Sequence, residues 1–239
     1  MIERHLQKLR ARHDISDEEE AVVRASVSEI RRYRPDETIA PSHTPLGVSN
    51  ILVSGLACRA KDLADGRRQI TELQTPGDYM DLHSFTLKQL DHEVIALTAC
   101  DVAIIPHPRL LEITERHPHL TRIYWFGTNL DAAIHREWVL SLGRRSALES
   151  LAHLFCELYV RLDLVGLVLD SRYPLDITQA QLAECLGMTP VHVNRTLQQL
   201  RSEGLVEFRD GWVAVHNFAR LSETAQFDPA YLYLKPRRR

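Results

Sequence analysis

Residues 178 to 202 carry the pattern that most constrains the fold of this chain. Thr178 and Gln181 have the spacing of a capping box, in which a hydroxyl and a side-chain amide satisfy the first backbone groups of a helix. Gly187 ends that helix and permits a tight turn, and Thr189 suits the N-cap of a second helix. Two short helices joined by a glycine-containing turn predict a helix-turn-helix.

The second of these helices has two different faces, and a hairpin follows it. Val193, Leu197 and Leu200 recur at helical spacing, so we expect them to face inward. Two β-like runs then flank Asp210-Gly211, a dipeptide that favours a tight hairpin turn. The segment is therefore predicted to be a winged helix-turn-helix.

The outward face of the second helix suits the major groove of DNA. Arg195 can make a bidentate contact to guanine, worth about 1–3 kcal/mol of discrimination. Asn194 is expected to contact a base or a phosphate, and Val191 a thymine methyl group. Thr189, His192 and Gln198 are expected to support the helix or contact the DNA backbone. The predicted DNA-binding residues are therefore Thr189, Val191, His192, Asn194, Arg195 and Gln198. A helical pair that serves only protein contact is the alternative.

The part of the chain before residue 118 has a different texture. Short strand-like segments fill residues 32–107, and turn residues such as Asp65-Gly66 and Pro76-Gly77 separate them. Many short strands at this spacing predict a jelly-roll or a sandwich.

A long helical pattern begins at Pro118. Apolar residues recur along it at alternating spacings of three and four, at Leu120, Ile123, Gly127, Leu130 and Ile134. Such a seam packs either on the same chain or against a second copy in a dimer.

Composition excludes several classes of protein. Hydrophobic residues make up 44% of the 239 residues and charged residues 26%, which is the balance of a soluble globular chain. The strongest apolar stretch, residues 164–169, is too short to span a membrane. The four cysteines are scattered, and the charged N-terminus has no signal-peptide core, so we expect a cytoplasmic protein without membrane contact. The net charge of −3 does not by itself indicate a polyanion partner, although Lys235-Pro-Arg-Arg-Arg239 makes the end basic.

Residues 177–206, ITQAQLAECLGMTPVHVNRTLQQLRSEGLV, resemble the DNA-recognition unit of the Crp/Fnr family of bacterial transcription regulators. Arg195 stands at the position of the family's base-reading arginine. Val191 replaces a glutamate that many members have near the start of this helix, and Asn194 replaces a small residue. The target sequence is therefore expected to differ from that of the well-known members.

The resemblance covers nearly the whole chain and implies an α+β architecture in three parts. Residues 1–117 are expected to form a β jelly-roll sensor domain with N-terminal helices, similar to cyclic-nucleotide-binding domains. Residues 118–143 are expected to form a long dimerisation helix, and residues 144–239 a winged helix-turn-helix domain with a basic tail. It implies a homodimer on palindromic double-stranded DNA, with the seam from Leu120 to Ile134 as the dimer interface. It also implies an unidentified small-molecule effector, and RNA polymerase as a partner if the protein is an activator. We expect no enzyme activity.

The candidate effector region comprises Asp81, His83, Asp91 and His92. When Asp81-Leu82 is aligned on the family's Glu-Leu, the Arg-Ser pair that holds a cyclic-nucleotide phosphate becomes Asp91-His92. An anionic phosphate would be repelled there, so we expect no cyclic nucleotide. No cysteine precedes Cys58, which excludes the N-terminal iron–sulfur cluster of the oxygen-sensing branch.

Histidines leave three alternatives open. Residues 80–84 resemble the segment that carries the haem ligand in the family's carbon-monoxide sensor, which makes His83 a candidate haem ligand; no other metal or cofactor is expected. His117 and His119 could instead bind a metal in a jelly-roll enzyme whose winged helix mediates assembly only, but no carboxylate stands at ligand spacing. The 12 histidines also permit a pH switch.

Overall fold

The computed structural model describes residues 1–235, and the three arginines of the basic end lie outside the described residues. The chain divides into two compact units. Unit 1 comprises residues 1–60, 73–133 and the C-terminal segment from Leu232, and unit 2 comprises residues 61–72 and 134–231. The long helix continues from the first unit into the second.

The elements up to the long helix are α1 (Glu3–Arg10), α2 (Asp17–Ser26), β1 (Glu29–Tyr33), β2 (Thr38–Ala40), β3 (Val48–Ser54), β4 (Ala57–Asp62), β5 (Arg68–Gln74), α3 (Ser84–Leu87), β6 (Glu93–Ala96), β7 (Cys100–Pro106), α4 (His107–Arg116) and α5 (Pro118–Gly143). The later elements are α6 (Ala147–Asp163), β8 (Arg172–Pro174), α7 (Gln179–Leu186), α8 (Pro190–Ser202), β9 (Val206–Arg209), β10 (Trp212–Val215), α9 (Phe218–Ala225) and a 3-10 turn (Pro229–Leu232).

Two sheets form the β-rich part, with strand orders β1-β7-β3 and β2-β6-β4-β5. Strand β7 pairs antiparallel with both of its neighbours. Its successive residues serve two cores, because side chains alternate between the faces of a strand. Val102 and Ile104 pack in the core with residues of the second sheet, whereas Ala103 and Ile105 pack with helices α1, α4 and α5. This double burial explains the nearly unbroken apolar run of β7 and confirms the predicted α+β fold class.

Helix α5 packs its predicted seam into the chain itself. Leu120 and Ile123 are buried in the core of unit 1, and Ile134 is buried in unit 2. Gly127 and Leu130 are half-buried. The seam could pack on its own chain or against a second copy, and in this structure its own chain covers much of this face. Within residues 1–235, no helix is long and apolar enough to cross a membrane.

Candidate DNA interface and sensor groove

The helix-turn-helix begins and turns at the residues that the sequence indicates. Thr178 accepts a hydrogen bond from the backbone N–H of Gln181 at 3.1 Å, and the Gln181 side chain accepts one from the Thr178 N–H at 2.8 Å. Gly187 ends α7 with a φ of 62°, a left-handed conformation that costs glycine little. The Thr189 hydroxyl accepts from the N–H of His192 at 3.2 Å and caps α8. The Thr189 side chain therefore has a structural role as the N-cap of the second helix.

The inward and outward faces of α8 separate as predicted from the spacing. Val193, Leu197 and Leu200 are buried. Val191 is 81% exposed, and Arg195 lies on the same exposed side. Arg195 forms no ion pair or hydrogen bond with another side chain among residues 1–235. Its guanidinium is thus available to an external acceptor.

The remaining residues of this face differ in how firmly they are held. Asn194 is exposed, and its Nδ2 donates to Oε1 of Gln179 at 3.1 Å. Gln179 is the first residue of α7, so this bond fixes α7 and α8 to each other at the surface. Gln198 is exposed, whereas His192 is half-buried. Gln179 carries no local sign of this role in the sequence, because a bond between side chains 15 residues apart leaves no local pattern.

The predicted wing is present and has a third strand. Strands β9 and β10 pair antiparallel, and Asp210 and Gly211 in the turn between them have φ values of 51° and 74°. Two positive φ angles are what the favoured two-residue hairpin turn requires. Strand β8 joins the other side of β10, where Arg172 stacks over the ring of Trp212 at 5.7 Å. A three-residue strand is too short to be read from sequence periodicity.

The candidate effector residues fall into two environments. Asp81 is completely buried and accepts hydrogen bonds from the backbone N–H of Asn50 at 2.6 Å and from its side chain at 2.5 Å. Burial raises the pKa of the Asp81 carboxyl to about 7, against the lowering effect of these bonds. His83 and His92 lie together with ring centres 5.2 Å apart, and His92 Nδ1 lies 3.1 Å from Asp91. Asp81 thus belongs to the framework, and the other three residues cluster.

A buried arginine that the sequence analysis missed joins β4 to α5 within unit 1. Arg59 donates from Nε to the Met80 carbonyl at 2.7 Å and from Nη2 to Asp131 at 2.8 Å. Its side chain is buried, so the ion pair fills space between the strand and the helix. The position of this arginine among Ala57, Cys58 and Ala60 was the available indication, since an unpaired buried cation is too costly.

An open groove of about 280 Å³ lies between α3, α4 and the first half of α5. Its walls are Leu82, His83, Phe85, Thr86, Leu110, Thr114, Thr121, Tyr124, Trp125 and Thr128. None of these side chains is an acid, a lysine or an arginine. The hydroxyls of Thr114, Thr121 and Thr128 donate to carbonyls of the helices, which leaves them as acceptors. The groove therefore suits an uncharged, largely apolar molecule.

Of the two histidines at the start of α5, His119 contacts a carboxylate of α2. His119 Nδ1 lies 2.8 Å from Oε1 of Glu19 in α2. Within the described part of the chain, no group of three or more His, Cys, Asp or Glu residues is arranged to hold a metal ion.

Comparison with known proteins identifies both parts of the chain. A family model described as a Crp-like helix-turn-helix domain matches residues 149–224, and one described as a cyclic nucleotide-binding domain matches residues 30–117. The transcriptional activator protein FnrL of Cereibacter sphaeroides is 29% identical over 89% of this chain and 86% of its own length. The nitrogen fixation regulation protein FixK of Bradyrhizobium diazoefficiens is 30% identical over 73% of this chain and 72% of its own length.

Solved structures give the same result for the fold. The structure of FixK2 from Bradyrhizobium japonicum matches with a TM-score of 0.76 and 26% identity, over 83% of this chain and 97% of that one. CooA from Carboxydothermus hydrogenoformans, in a mutant form, matches with a TM-score of 0.67 over 90% of this chain and 99% of its own, at 14% identity.

Proposed function

Because this chain belongs to the Crp/Fnr family and is a DNA-binding transcription regulator rather than an enzyme, we propose that it acts as a homodimer on a palindromic DNA site. The observation that carries this proposal is the exposed face of α8, where Arg195 has no side-chain partner in the described residues. A two-fold dimer presents two such helices, so the half-sites lie about one helical turn apart.

We assign the base contacts to Arg195, Asn194 and Val191. Arg195 donates to O6 and N7 of a guanine, and Val191 contacts a thymine methyl group. Since Asn194 Nδ2 is engaged by Gln179, its Oδ1 accepts from an exocyclic amine of adenine or cytosine. Thr189, His192 and Gln198 support α8 or contact the DNA backbone.

We place the dimer contact on the face of α5 opposite to the buried seam. Trp125 is 69% exposed and Val139 is 68% exposed. They are two heptads apart, so they lie on the same side of the helix, with the exposed Ala132 between them. Leu120 and Ile123 support this surface from within instead of forming it. A row of exposed apolar side chains along a helix is what a second copy would bury.

The dimer proposal predicts a specific loss. Val139→Asp places a carboxylate in the apolar contact, so we expect the wild type to sediment as a dimer and this variant as a monomer at micromolar concentration. Leu169→Asp is the matched control, because Leu169 has the same exposure of 68% and lies outside α5. Selection from random duplex DNA should enrich a two-fold palindrome with the wild type. A monomer that selects a single asymmetric site would contradict the proposal.

We further propose that the effector binds in the groove beside α3 and that it is uncharged and largely apolar. Support comes from the lining, which lacks acidic and strongly basic side chains. We expect the neutral aromatic probe 1-naphthol to bind saturably in calorimetry, and Thr128→Phe, which fills the groove, to abolish the heat of binding. Thr224→Phe, a change of the same kind at a half-buried threonine of α9 outside the groove, is the control. Equal binding by Thr128→Phe would contradict the assignment.

Haem is the second candidate for this groove, because His83 and the apolar side chains Leu82 and Phe85 lie in its wall. The His83 imidazole would ligate the haem iron, and the apolar walls would exclude water from the macrocycle. Haem-supplemented expression should then give a Soret band that His83→Ala removes. A protein without this band is not a haem protein.

We place the protein in the cytoplasm, where its DNA partner is accessible. Relatives such as FnrL are named transcriptional activators, which supports a role as an activator that contacts RNA polymerase. Transcription in vitro from a promoter that carries the selected palindrome tests this role: we expect more transcript with the protein than without it.

A further inference from the structure

The end of the β4–β5 hairpin, residues 61–72, packs within unit 2 together with the winged helix. From this hairpin the side chain of Gln69 reaches the last turn of α7. Its Nε2 lies 2.6 Å from the carbonyl oxygen of Glu184 and 3.3 Å from that of Cys185. It also donates to its neighbour, the Ile70 carbonyl, at 2.9 Å. Three carbonyl oxygens around one nitrogen fix which end of the amide faces α7.

This contact satisfies backbone groups that the helix itself leaves open. The last four carbonyls of a helix lack intrahelical partners. In α7, the N–H groups of Gly187 and Met188 both turn back to the Ala183 carbonyl, so the carbonyls of Glu184 and Cys185 depend on an outside donor. Gln69 is that donor, and it acts as a C-terminal cap supplied from more than a hundred residues away in sequence.

A second anchor holds the same hairpin against α6. The carboxylate of Glu72 is 1% exposed, and it lies 3.8 Å from Nη2 of Arg161 and 3.5 Å from Nε2 of His135. Ile70, between the two anchors, is fully buried. The hairpin therefore has a fixed position on unit 2, and Gln69 is held where it meets α7.

The capped turn is the one that starts the DNA-reading helix. Gly187 directly follows α7, and Thr189, two residues later, caps α8. Val191 and Arg195 stay exposed while the Gln69 bonds are formed, so the contact leaves the reading face open. We propose that Gln69 is a positioning residue for DNA recognition, which fixes the end of α7 and the turn at Gly187 and thereby sets the orientation of α8.

The test compares affinity for the selected palindrome with affinity for a scrambled duplex of equal length. We expect Gln69→Ala to lower this ratio about fivefold, the effect of losing one net hydrogen bond that holds α8 in its reading orientation. Gln69→Lys keeps a donor for the helix carbonyls and should restore the ratio. Leu63→Ala is the matched control, because Leu63 is an exposed, uncharged residue of the same hairpin.

Amide hydrogen exchange supplies a readout that does not depend on DNA. The proposal rests on DNA reading by α8, but faster exchange at residues 186–189 in Gln69→Ala tests the positioning of the turn alone. Exchange equal to that of Leu63→Ala overturns the proposal even if no palindrome is selected. An unchanged ratio also overturns it. Tighter binding of Gln69→Ala to the palindrome overturns it as well, because the hairpin would then hold α8 in an orientation that is unfavourable for DNA binding.

Discussion

Arg195→Ala is expected to weaken binding to the selected palindrome by about five- to 150-fold for each half-site, which corresponds to the loss of one bidentate arginine–guanine contact of about 1–3 kcal/mol. The Arg195 guanidinium has no side-chain partner in the described residues, so the substitution leaves no other side chain without a hydrogen bond. The protein should therefore fold normally and lose sequence discrimination. Fluorescence anisotropy with the palindrome, and with a duplex changed at the guanine, measures both effects.

Arg201→Ala is the control for charge, because Arg201 lies on the same helix but pairs with Glu207 at 3.3 Å. Its removal should weaken binding to both duplexes equally, if at all. Arg195→Ala should bind the two duplexes alike, because the group that distinguishes them is gone. If the arginine-less variant still prefers the original guanine, base reading must be assigned to another residue.

Arg161→Met is expected to lower the free energy of unfolding of unit 2 by about 3–5 kcal/mol, the usual cost of breaking a buried ion pair from one side. Arg161 is 3% exposed and lies between the buried carboxylates of Glu157, at 2.9 Å, and Glu72, at 3.8 Å. Trp138 and Tyr231 also donate hydrogen bonds to Glu157. They cannot replace a full positive charge, so the variant leaves the two carboxylates without the guanidinium that lies between them. Urea unfolding followed by circular dichroism measures the loss.

Two further variants separate this effect from ordinary damage to packing. Adding Glu72→Gln and Glu157→Gln to Arg161→Met removes the uncompensated charges, and we expect much of the stability to return. Arg209→Met breaks an ion pair with Asp210 in which both side chains are exposed, and exposed pairs of this kind contribute less than about 1 kcal/mol. A similar loss in Arg161→Met and Arg209→Met would show that the buried charges are not what stabilises unit 2.

The winged helix could be predicted from sequence because its determinants are local. Thr178, Gly187 and Thr189 act within a few residues of their own positions, and the structure shows each one in its expected capping or turning geometry. The many short strand-like segments separated by turn residues likewise predicted a jelly-roll or a sandwich. Both features depend on short-range spacing, which a single sequence displays directly.

The remainder depends on partners that are distant in sequence. Periodicity identified the apolar seam of α5, but it could not show that Leu120 and Ile123 pack on the chain's own N-terminal helices. Asp81 gave no sign of its burial beside Asn50, nor Arg59 of its pairing with Asp131, 72 residues away. Gln69 was an unremarked polar residue of a hairpin. These contacts form only when the fold brings the segments together.

The discontinuity of unit 2 restricts how this regulator can be recombined. A gene fragment that begins after residue 133 would encode the winged helix without residues 61–72, and so without Glu72, one of the two carboxylates beside Arg161, and without Gln69, which covers the end of α7. Grafting such a fragment onto another sensor transfers the reading helix but leaves its support behind. Functional chimaeras should therefore carry the hairpin of the same parent. Over evolutionary time the sensor and the reader are expected to be inherited together rather than shuffled as separate modules.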